Sequence, residues 1–145
     1  SGQGIRFKSS DIREMGRGAA GVRAIKLSKN DEVVGLGVVN KETAAVSEIL
    51  VVSANGFGKR TKVSEYKIQH RGGSGIKTAK VTPKTGKLMK AVILEAEASE
   101  LLAISKQGQV IRTKLDEIPT LGRATQGVRV MKVRAGDNLA SLTCL

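Results

Sequence analysis

The chain carries one message three times. Gly2-Gln3-Gly4-Ile5-Arg6-Phe7-Lys8 returns as Gly56-Phe57-Gly58-Lys59-Arg60-Thr61-Lys62, and again as Gly108-Gln109-Val110-Ile111-Arg112-Thr113-Lys114, at steps of 54 and 52 residues. The register holds downstream. Arg17, Arg71 and Arg123 align, each four residues before Gly21, Gly75 and Gly127, and Lys26, Lys80 and Lys132 align after them. A period of roughly 40–50 residues with strand-like content suggests one four-stranded sheet per repeat, the sheets arranged radially as blades. Repetition also places each basic residue on the surface at regular spacing, which suits a polymer that repeats a negative charge.

The second and third repeats each read as four strands. Residues 49–54, 59–64, 76–82 and 88–94 form one set, and 101–105, 110–115, 128–133 and 139–143 the other. Asn55-Gly56, Thr85-Gly86, Gln107-Gly108 and Gly136-Asp137 supply the breaks, which are turn chemistries. The expected fold class is all-β and propeller-like, three repeats of about four strands each. Blades are expected near 1–48, 49–99 and 100–145, in a single region spanning 1–145. The first repeat opens at its turn and lacks a counterpart of 49–54. The expectation is that the chain begins inside a longer parent protein, or that a neighbouring chain supplies that strand. A bare edge is an association hazard, so self-association through incomplete blade edges is a further expectation.

The third strand of each repeat carries a further signal. Val22-Arg23-Ala24-Ile25-Lys26-Leu27 aligns with Ile76-Lys77-Thr78-Ala79-Lys80-Val81 and with Val128-Arg129-Val130-Met131-Lys132-Val133. In a regular strand, residues three apart face opposite sides. A one-residue bulge would bring both cations to one face. The alternative is that one cation faces solvent while the other covers a neighbour with its aliphatic stem.

Lys and Arg total 25 against 13 Asp and Glu, a net charge of +12. Such an excess favours a polyanionic partner. Residues 55–94 hold 10 basic groups and only Glu65, net +9, whereas 1–38 and 100–142 are each net +3. Acidic stretches lie between, with Glu42 and Glu48, then Glu95 and Glu97. No apolar run approaches the ~20 residues of a spanning helix, and no basic amphipathic helix is visible, so no membrane partner is expected. The single Cys144 cannot form an internal disulfide, which fits a reducing compartment. It is expected to pack at the end of the last strand. Phe7, Phe57 and Tyr66 are the only aromatics, too few to stack the bases of a single strand. The expected ligand is therefore a duplex, held by its backbone.

Several segments together resemble one family. Asn55-Gly56-Phe57-Gly58-Lys59-Arg60-Thr61, then Ser64-Glu65-Tyr66, then Arg71-Gly72-Gly73-Ser74-Gly75-Ile76-Lys77-Thr78 resemble the C-terminal domain of the DNA gyrase A subunit. Ile5-Arg6-Phe7-Lys8 with Met15-Gly16-Arg17 and Gly21-Val22-Arg23 looks like another blade of it, and Gly122-Arg123-Ala124-Thr125-Gln126-Gly127-Val128 like the last. The resemblance covers essentially the whole chain. It implies a β-pinwheel, a six-bladed disc whose blades share strands and whose basic rim bends duplex DNA, with this chain as about blades four to six, half of that disc. It implies that the catalytic tyrosine of the parent type IIA topoisomerase lies outside the chain, so that the chain is not an enzyme by itself and carries no cofactor. Its implied partners are duplex DNA, the ATPase B subunit of gyrase, and the N-terminal part of the gyrase A subunit. Its implied location is cytoplasmic and nucleoid-associated. The family's heptapeptide Gln-Arg-Arg-Gly-Gly-Lys-Gly is resembled by Gln69-His70-Arg71-Gly72-Gly73-Ser74-Gly75, with His70 and Ser74 at two basic positions. The A-type subunit of topoisomerase IV carries similar pinwheels. A basic, propeller-like protein-interaction scaffold is the alternative of another class.

The candidate DNA-binding residues are the cations that repeat. Arg17, Arg71 and Arg123 sit in Gly-rich turns, where backbone N–H groups can join an arginine on a phosphate. Alternatively, they tie the turn to a neighbouring blade through backbone carbonyls. Arg6, Arg60 and Arg112 follow the hairpin glycine, and Lys8, Lys62 and Lys114 lie two residues on, on the same strand face. With Lys59 they form either a ladder for phosphates or a solvated face that protects an edge. Arg23, Lys77 and Arg129 come from the third strands. Asp11, Glu65 and Glu117 recur without a histidine or metal cluster and are expected to pair with the repeated arginines rather than to catalyse. Tyr66 aligns with Ile12 and Ile118, so it is expected in the core. His70 aligns with Gly16 and Gly122 as a turn residue, and one histidine makes no metal site.

Overall fold

The middle and third repeats each fold around a hairpin whose turn ends on glycine. The computed structural model describes residues 1–94 and 97–145; Glu95, one of the acids expected between repeats, lies outside them. The first repeat contributes a two-residue strand, β1 (Gln3–Gly4). The middle repeat contributes β2 (Glu48–Ser53), β3 (Phe57–Lys62), β4 (Ile76–Lys77) and β5 (Leu88–Leu94), and the third contributes β6 (Glu100–Ser105), β7 (Val110–Lys114), β8 (Val128–Arg129) and β9 (Leu139–Cys144). Single turns of 3₁₀ helix at Ser9–Asp11, Val63–Glu65 and Leu115–Glu117 occupy equivalent places in the three repeats, and no α-helix occurs among the described residues. The all-β class expected from the repeats is the one observed.

The hairpins close as the turn residues demand. The Gly56 N–H donates to Ser53 O and the Gly108 N–H to Ser105 O, each at 3.0 Å. From these turns β2 pairs antiparallel with β3, and β6 with β7. The fourth strand of each repeat lies on the other side of the first: β5 on β2, and β9 on β6. Both pairings shift register at matching places, opposite Val52/Ser53 and opposite Ile104/Ser105.

The third strand corrects the local four-stranded set expected from sequence. The middle sheet runs β5-β2-β3-β8, so its fourth member comes from the third repeat. Likewise β4, from the middle repeat, pairs with β1 of the first. The segments expected to be strands over 76–82 and 128–133 are strands for two residues only, and the equivalent segment of the first repeat is not a strand. The cause is a bulge. The N–H groups of Thr78 and Ala79 both donate to Gly2 O, at 2.8 and 3.3 Å, and those of Val130 and Met131 both donate to Gly56 O, at 2.8 and 3.0 Å. Two donors on one acceptor put an extra residue into the segment and end the ladder.

The core lies between the middle and third sheets. Leu50 and Val52 of β2, Leu101 and Ala103 of β6, Leu139 and Leu142 of β9, and Leu115, Ile118 and Met131 form one buried cluster. Cys144 is half-buried against it at the end of β9, as expected. Alternation along β6 explains the geometry: Leu101, Ala103 and Ser105 are buried while Ile104 is exposed. Each large aliphatic residue so buried contributes roughly 1.5–3 kcal/mol.

The strand exchange makes a specific demand on the hairpin glycine. Gly56 has φ 78°, and a Cβ there would strike Met131 O. Gly108 has the same conformation, φ 81°, with nothing within 4 Å. Gly56→Ala and Gly108→Ala therefore share the left-handed penalty of about 1–2 kcal/mol, but only Gly56→Ala also pushes the third repeat away. Urea unfolding should show Gly56→Ala to be the more destabilising. Equal losses would mean that β8 contributes nothing to the stability of the junction.

Candidate nucleic-acid interface

The basic residues divide into those held by the neighbouring repeat and those left in solvent. Arg6 donates to Val63 O and Tyr66 O of the middle repeat, both at 3.2 Å. Arg60 reaches the equivalent place in the third repeat, donating through Nε to Ile118 O at 2.7 Å, and pairs with Glu48 at 3.0 Å. Arg71 reaches backward, to Asp11 O at 2.9 Å and Arg23 O at 3.1 Å. Arg123 does the same with Lys77 O, at 3.0 Å, and lies over the Tyr66 ring, 5.9 Å from its centroid. For Arg71 and Arg123 the reading that ties turn to blade through carbonyls is the one observed. The 3₁₀ turns following each second strand present the carbonyls that Arg6 and Arg60 use.

Lys59 departs furthest from expectation. It was expected among the surface cations and is fully buried, 0% exposed. Its Nζ donates to Gly122 O and Arg123 O, each at 2.6 Å, and to Thr125 Oγ1 at 3.1 Å. Three acceptors match the three N–H bonds of an ammonium, which is what allows this charge inside. Beside it, buried Thr61 donates to Leu121 O at 2.8 Å. The middle repeat thus grips the Gly122–Thr125 turn with a cation rather than presenting that cation to solvent. Its equivalents Ile5 and Ile111 leave this clamp unique to the middle repeat.

The remaining cations are exposed. Lys62 and Lys114 end β3 and β7, Lys8 precedes the first 3₁₀ turn at the equivalent place, and all three are in solvent. Arg23, Lys77 and Arg129 are exposed, and so are Lys26, Lys80 and Lys132 three residues on. Between them the bulged residues turn inward: Thr78 and Ala79 are buried, as is Met131. At 77–80 and 129–132 the bulge leaves both cations exposed, the outcome expected of a bulged strand; Arg23 and Lys26 are exposed without a bulge between them. Arg129 also lies over Phe57, 5.4 Å from its centroid. Arg17 is exposed, and Arg112 is exposed with Glu100 as its ion-pair partner.

The fold and this arrangement can be set beside known proteins. The family described as the DNA gyrase C-terminal domain, beta-propeller, matches residues 1–40, 47–95 and 99–145. This chain belongs to that family. The DNA gyrase A subunit of Staphylococcus epidermidis is 44% identical over 138 residues, 95% of this chain and 15% of the relative's length. That of Staphylococcus aureus is 43% identical over 134 residues, 92% of this chain and 15% of the relative. A solved DNA gyrase A C-terminal domain superposes with a TM-score of 0.81 at 31% identity, covering 99% of this chain and 47% of that one. A solved C-terminal domain of DNA topoisomerase IV superposes at 0.88 with 18% identity, a likeness of fold. The chain spans about one-seventh of the length of these curated relatives.

Within this gyrase-type pinwheel, the recurring acids do not pair as expected. The Glu65 carboxylate accepts the Arg123 backbone N–H at 3.2 Å, and the Glu117 carboxylate accepts the Thr113 hydroxyl at 2.9 Å. Asp11 offers Arg71 its backbone carbonyl instead of its carboxylate. The arginine partners are Glu48 and Glu100, which sequence reasoning missed. Their signal was available, because they occupy equivalent positions at the start of β2 and β6, across the hairpin from Arg60 and Arg112. Tyr66 is buried as expected, and burial pushes its phenol pKa up. Among the described residues no group of three or more His, Cys, Asp or Glu could hold a metal ion, and no helix is long and apolar enough to cross a membrane.

Lys59 makes a pH-dependent contribution with a defined sign. Burial lowers its pKa from 10.5 to about 8, Glu65 opposes that shift, and Arg123 adds to it. Between about pH 8 and 10.5 the unfolded chain therefore holds a proton that the folded chain does not, and stability rises with pH. Across the whole window the change is on the order of 3 kcal/mol. The stability of the wild type minus that of Lys59→Met, followed by urea unfolding, should grow as pH rises through this range. A flat difference would show Lys59 to be solvated.

Proposed function

We propose that this chain is a non-catalytic module of a type IIA topoisomerase of the gyrase kind, binding duplex DNA along its rim and bending it so that the parent enzyme supercoils in one direction. The observation that carries the reading is the repeated pair of outward cations: Arg23 with Lys26, Lys77 with Lys80, and Arg129 with Lys132. Lys8, Lys62 and Lys114 extend this charge on each repeat. The cations are all exposed and recur along successive repeats, which fits a continuous polyanion. With only three aromatics and repeated exposed cations, affinity comes from counterion release rather than sequence. Bending 20–30 base pairs by 40–90° costs roughly 1–6 kcal/mol, so contacts must be spread over successive repeats. The proposed partners in the parent are the ATPase B subunit, together with the N-terminal part of the A subunit. The proposed location is the cytoplasmic nucleoid. The similarity to gyrase relatives favours gyrase over topoisomerase IV.

The experiment is a titration of duplex DNA against salt. With about 4–6 phosphates neutralised, log K should fall against log salt with a slope near −4 to −5. A flat response, or a preference for single strands, removes the DNA reading and leaves the scaffold alternative.

The two classes of cation should separate cleanly. Replacing Lys77, Lys80, Arg129 and Lys132 with Ala should weaken DNA binding and lower the salt slope by about 1 for each phosphate no longer neutralised, with little change in unfolding. Replacing Arg60 and Arg71 should instead lower stability, by about 1–3 kcal/mol for each set of bonds to carbonyls. If the held pair governs DNA affinity in a still-folded protein, the assignment of rim and latch is reversed.

A further inference from the structure

Two cations converge on one aromatic ring where the middle and third repeats meet. The Arg129 guanidinium lies 5.4 Å from the Phe57 centroid and the Lys84 ammonium 5.6 Å from it, so the two charges lie within about 11 Å of each other, the sum of those distances. The negative face of a ring attracts a cation. Both cationic side chains are exposed, whereas the ring beneath them is 6% exposed. Neither charged end has an ion-pair or hydrogen-bond partner among the described residues. Arg123, over the Tyr66 ring, differs, because it also donates to Lys77 O at 3.0 Å. Lys84 and Arg129 are thus held in place by a ring that takes none of their N–H donors.

The backbone fixes each cation from a different repeat. Arg129 stands on β8 directly across from Phe57 of β3. Lys84 lies in the 82–86 turn, which is closed by the Gly86 N–H on Thr82 O at 2.9 Å and by buried Thr85, whose hydroxyl oxygen accepts the Thr82 N–H at 3.0 Å. The Asn55 side-chain amide donates to Pro83 O at 3.2 Å and to Lys84 O at 3.0 Å, and its oxygen accepts from Asn138 Nδ2 at 3.0 Å. The hairpin that carries Phe57 therefore holds the turn that carries Lys84, and the third repeat holds that hairpin. The arrangement does not recur. Phe57 aligns with Gln3 and Gln109, and Lys84 with Asn30 and Gly136. At the first junction Lys77 accordingly stands across from Gln3, which has no ring.

We propose that Phe57 holds Lys84 and Arg129 as a single clamp on the phosphate backbone of duplex DNA, at the seam between the middle and third repeats. The inference rests on the DNA reading above and adds to it a contact residue, Lys84, and two positioning residues, Phe57 and Asn55. A long, flexible cation loses rotamer freedom when it closes on a phosphate, and that loss opposes binding. Cations already laid on a ring have lost much of that freedom before DNA arrives, so more of each contact appears as affinity. The clamp reads no base. A ring so deeply buried cannot stack on one, and contacts to phosphate carry no sequence information. Residues 55–94 already hold a net charge of +9, and the clamp gives the end of that stretch a fixed point of contact.

The test is duplex-DNA affinity and its salt slope, measured by titration of the 145-residue chain. Lys84→Gln with Arg129→Gln should lower the slope by about 1–2 and weaken binding about tenfold or more. That loss should exceed the loss from Lys67→Gln with Lys90→Gln, an exposed pair that contacts no ring among the described residues. Phe57→Leu keeps every charge and should weaken binding about fivefold to tenfold. Added to the Lys84→Gln, Arg129→Gln protein, it should weaken binding no further, whereas a role confined to folding costs the same in both backgrounds. Asn55→Ala releases the Lys84 turn without opening the core, and should weaken binding in the wild type but not beside Lys84→Gln. Equal losses from the two cation pairs, or losses from Phe57→Leu or Asn55→Ala that are absent in the wild type or persist without the clamp cations, overturn the clamp and leave the DNA reading standing. A wild type that does not bind duplex DNA overturns both.

Discussion

At each junction a single glycine carbonyl oxygen accepts two successive backbone N–H groups, and most of the architecture follows from it. The doubled bond is possible only because the glycine lets the arriving backbone approach without a Cβ between them. It inserts one residue into the arriving segment, which turns Ala79 or Met131 inward and leaves a cation outward on either side. It also ends the ladder after two residues, so the chain leaves the preceding sheet and returns to its own. Met131 then enters the core shared by the middle and third sheets. One local geometry thus joins blades, fills the core and displays charge.

The same economy governs the cations. A buried or half-buried positive charge needs acceptors, and this fold supplies them largely from main-chain carbonyls at the 3₁₀ turns and Gly-rich loops, with the Glu48 carboxylate added at Arg60. Lys59 on Gly122 and Arg123, and Arg71 on Asp11 and Arg23, are cases in point. Because carbonyls carry no net charge, these latches hold the blades together without cancelling the protein's excess of positive charge. The electrostatic field of the whole body stays strongly positive even where individual cations are engaged, and a field of that kind acts on a polyanion before contact.

The period, the hairpin glycines and the long strands were legible in the sequence because they depend on local patterning. Alternation along 101–105 and the turn at Asn55-Gly56 needed no knowledge of the rest of the chain. The exchange of β4 and β8 between sheets was not legible from local patterning, because a strand's own residues do not say which edge it will meet; the family resemblance alone implied shared strands. For the same reason Lys59 read as one more surface cation. Its burial depends on the Gly122–Thr125 turn, more than sixty residues away, closing over it. Arg71 and Arg123 were legible as a choice between phosphate and carbonyl, and only tertiary contact decides that choice. Charge totals place Glu48 only in an acidic stretch, whereas its pairing with Arg60, like that of Glu100 with Arg112, depends on its place across a hairpin.

Strand exchange also imposes an order in time. During synthesis from the N-terminus, β2, β3 and β5 of the middle sheet emerge long before β8, which belongs to the following repeat. Until residue 129 has left the ribosome, the middle hairpin has a bare outer edge, and the loop that must close to cover it spans Phe57 to Arg129. Closure over such a separation is slower than the formation of any hairpin within the chain. The nascent middle blade must therefore persist for a time with an unsatisfied edge. The charged residues Arg60 and Lys62 on β3 then act as gatekeepers against pairing with a neighbouring nascent chain, before β8 arrives to complete the middle sheet.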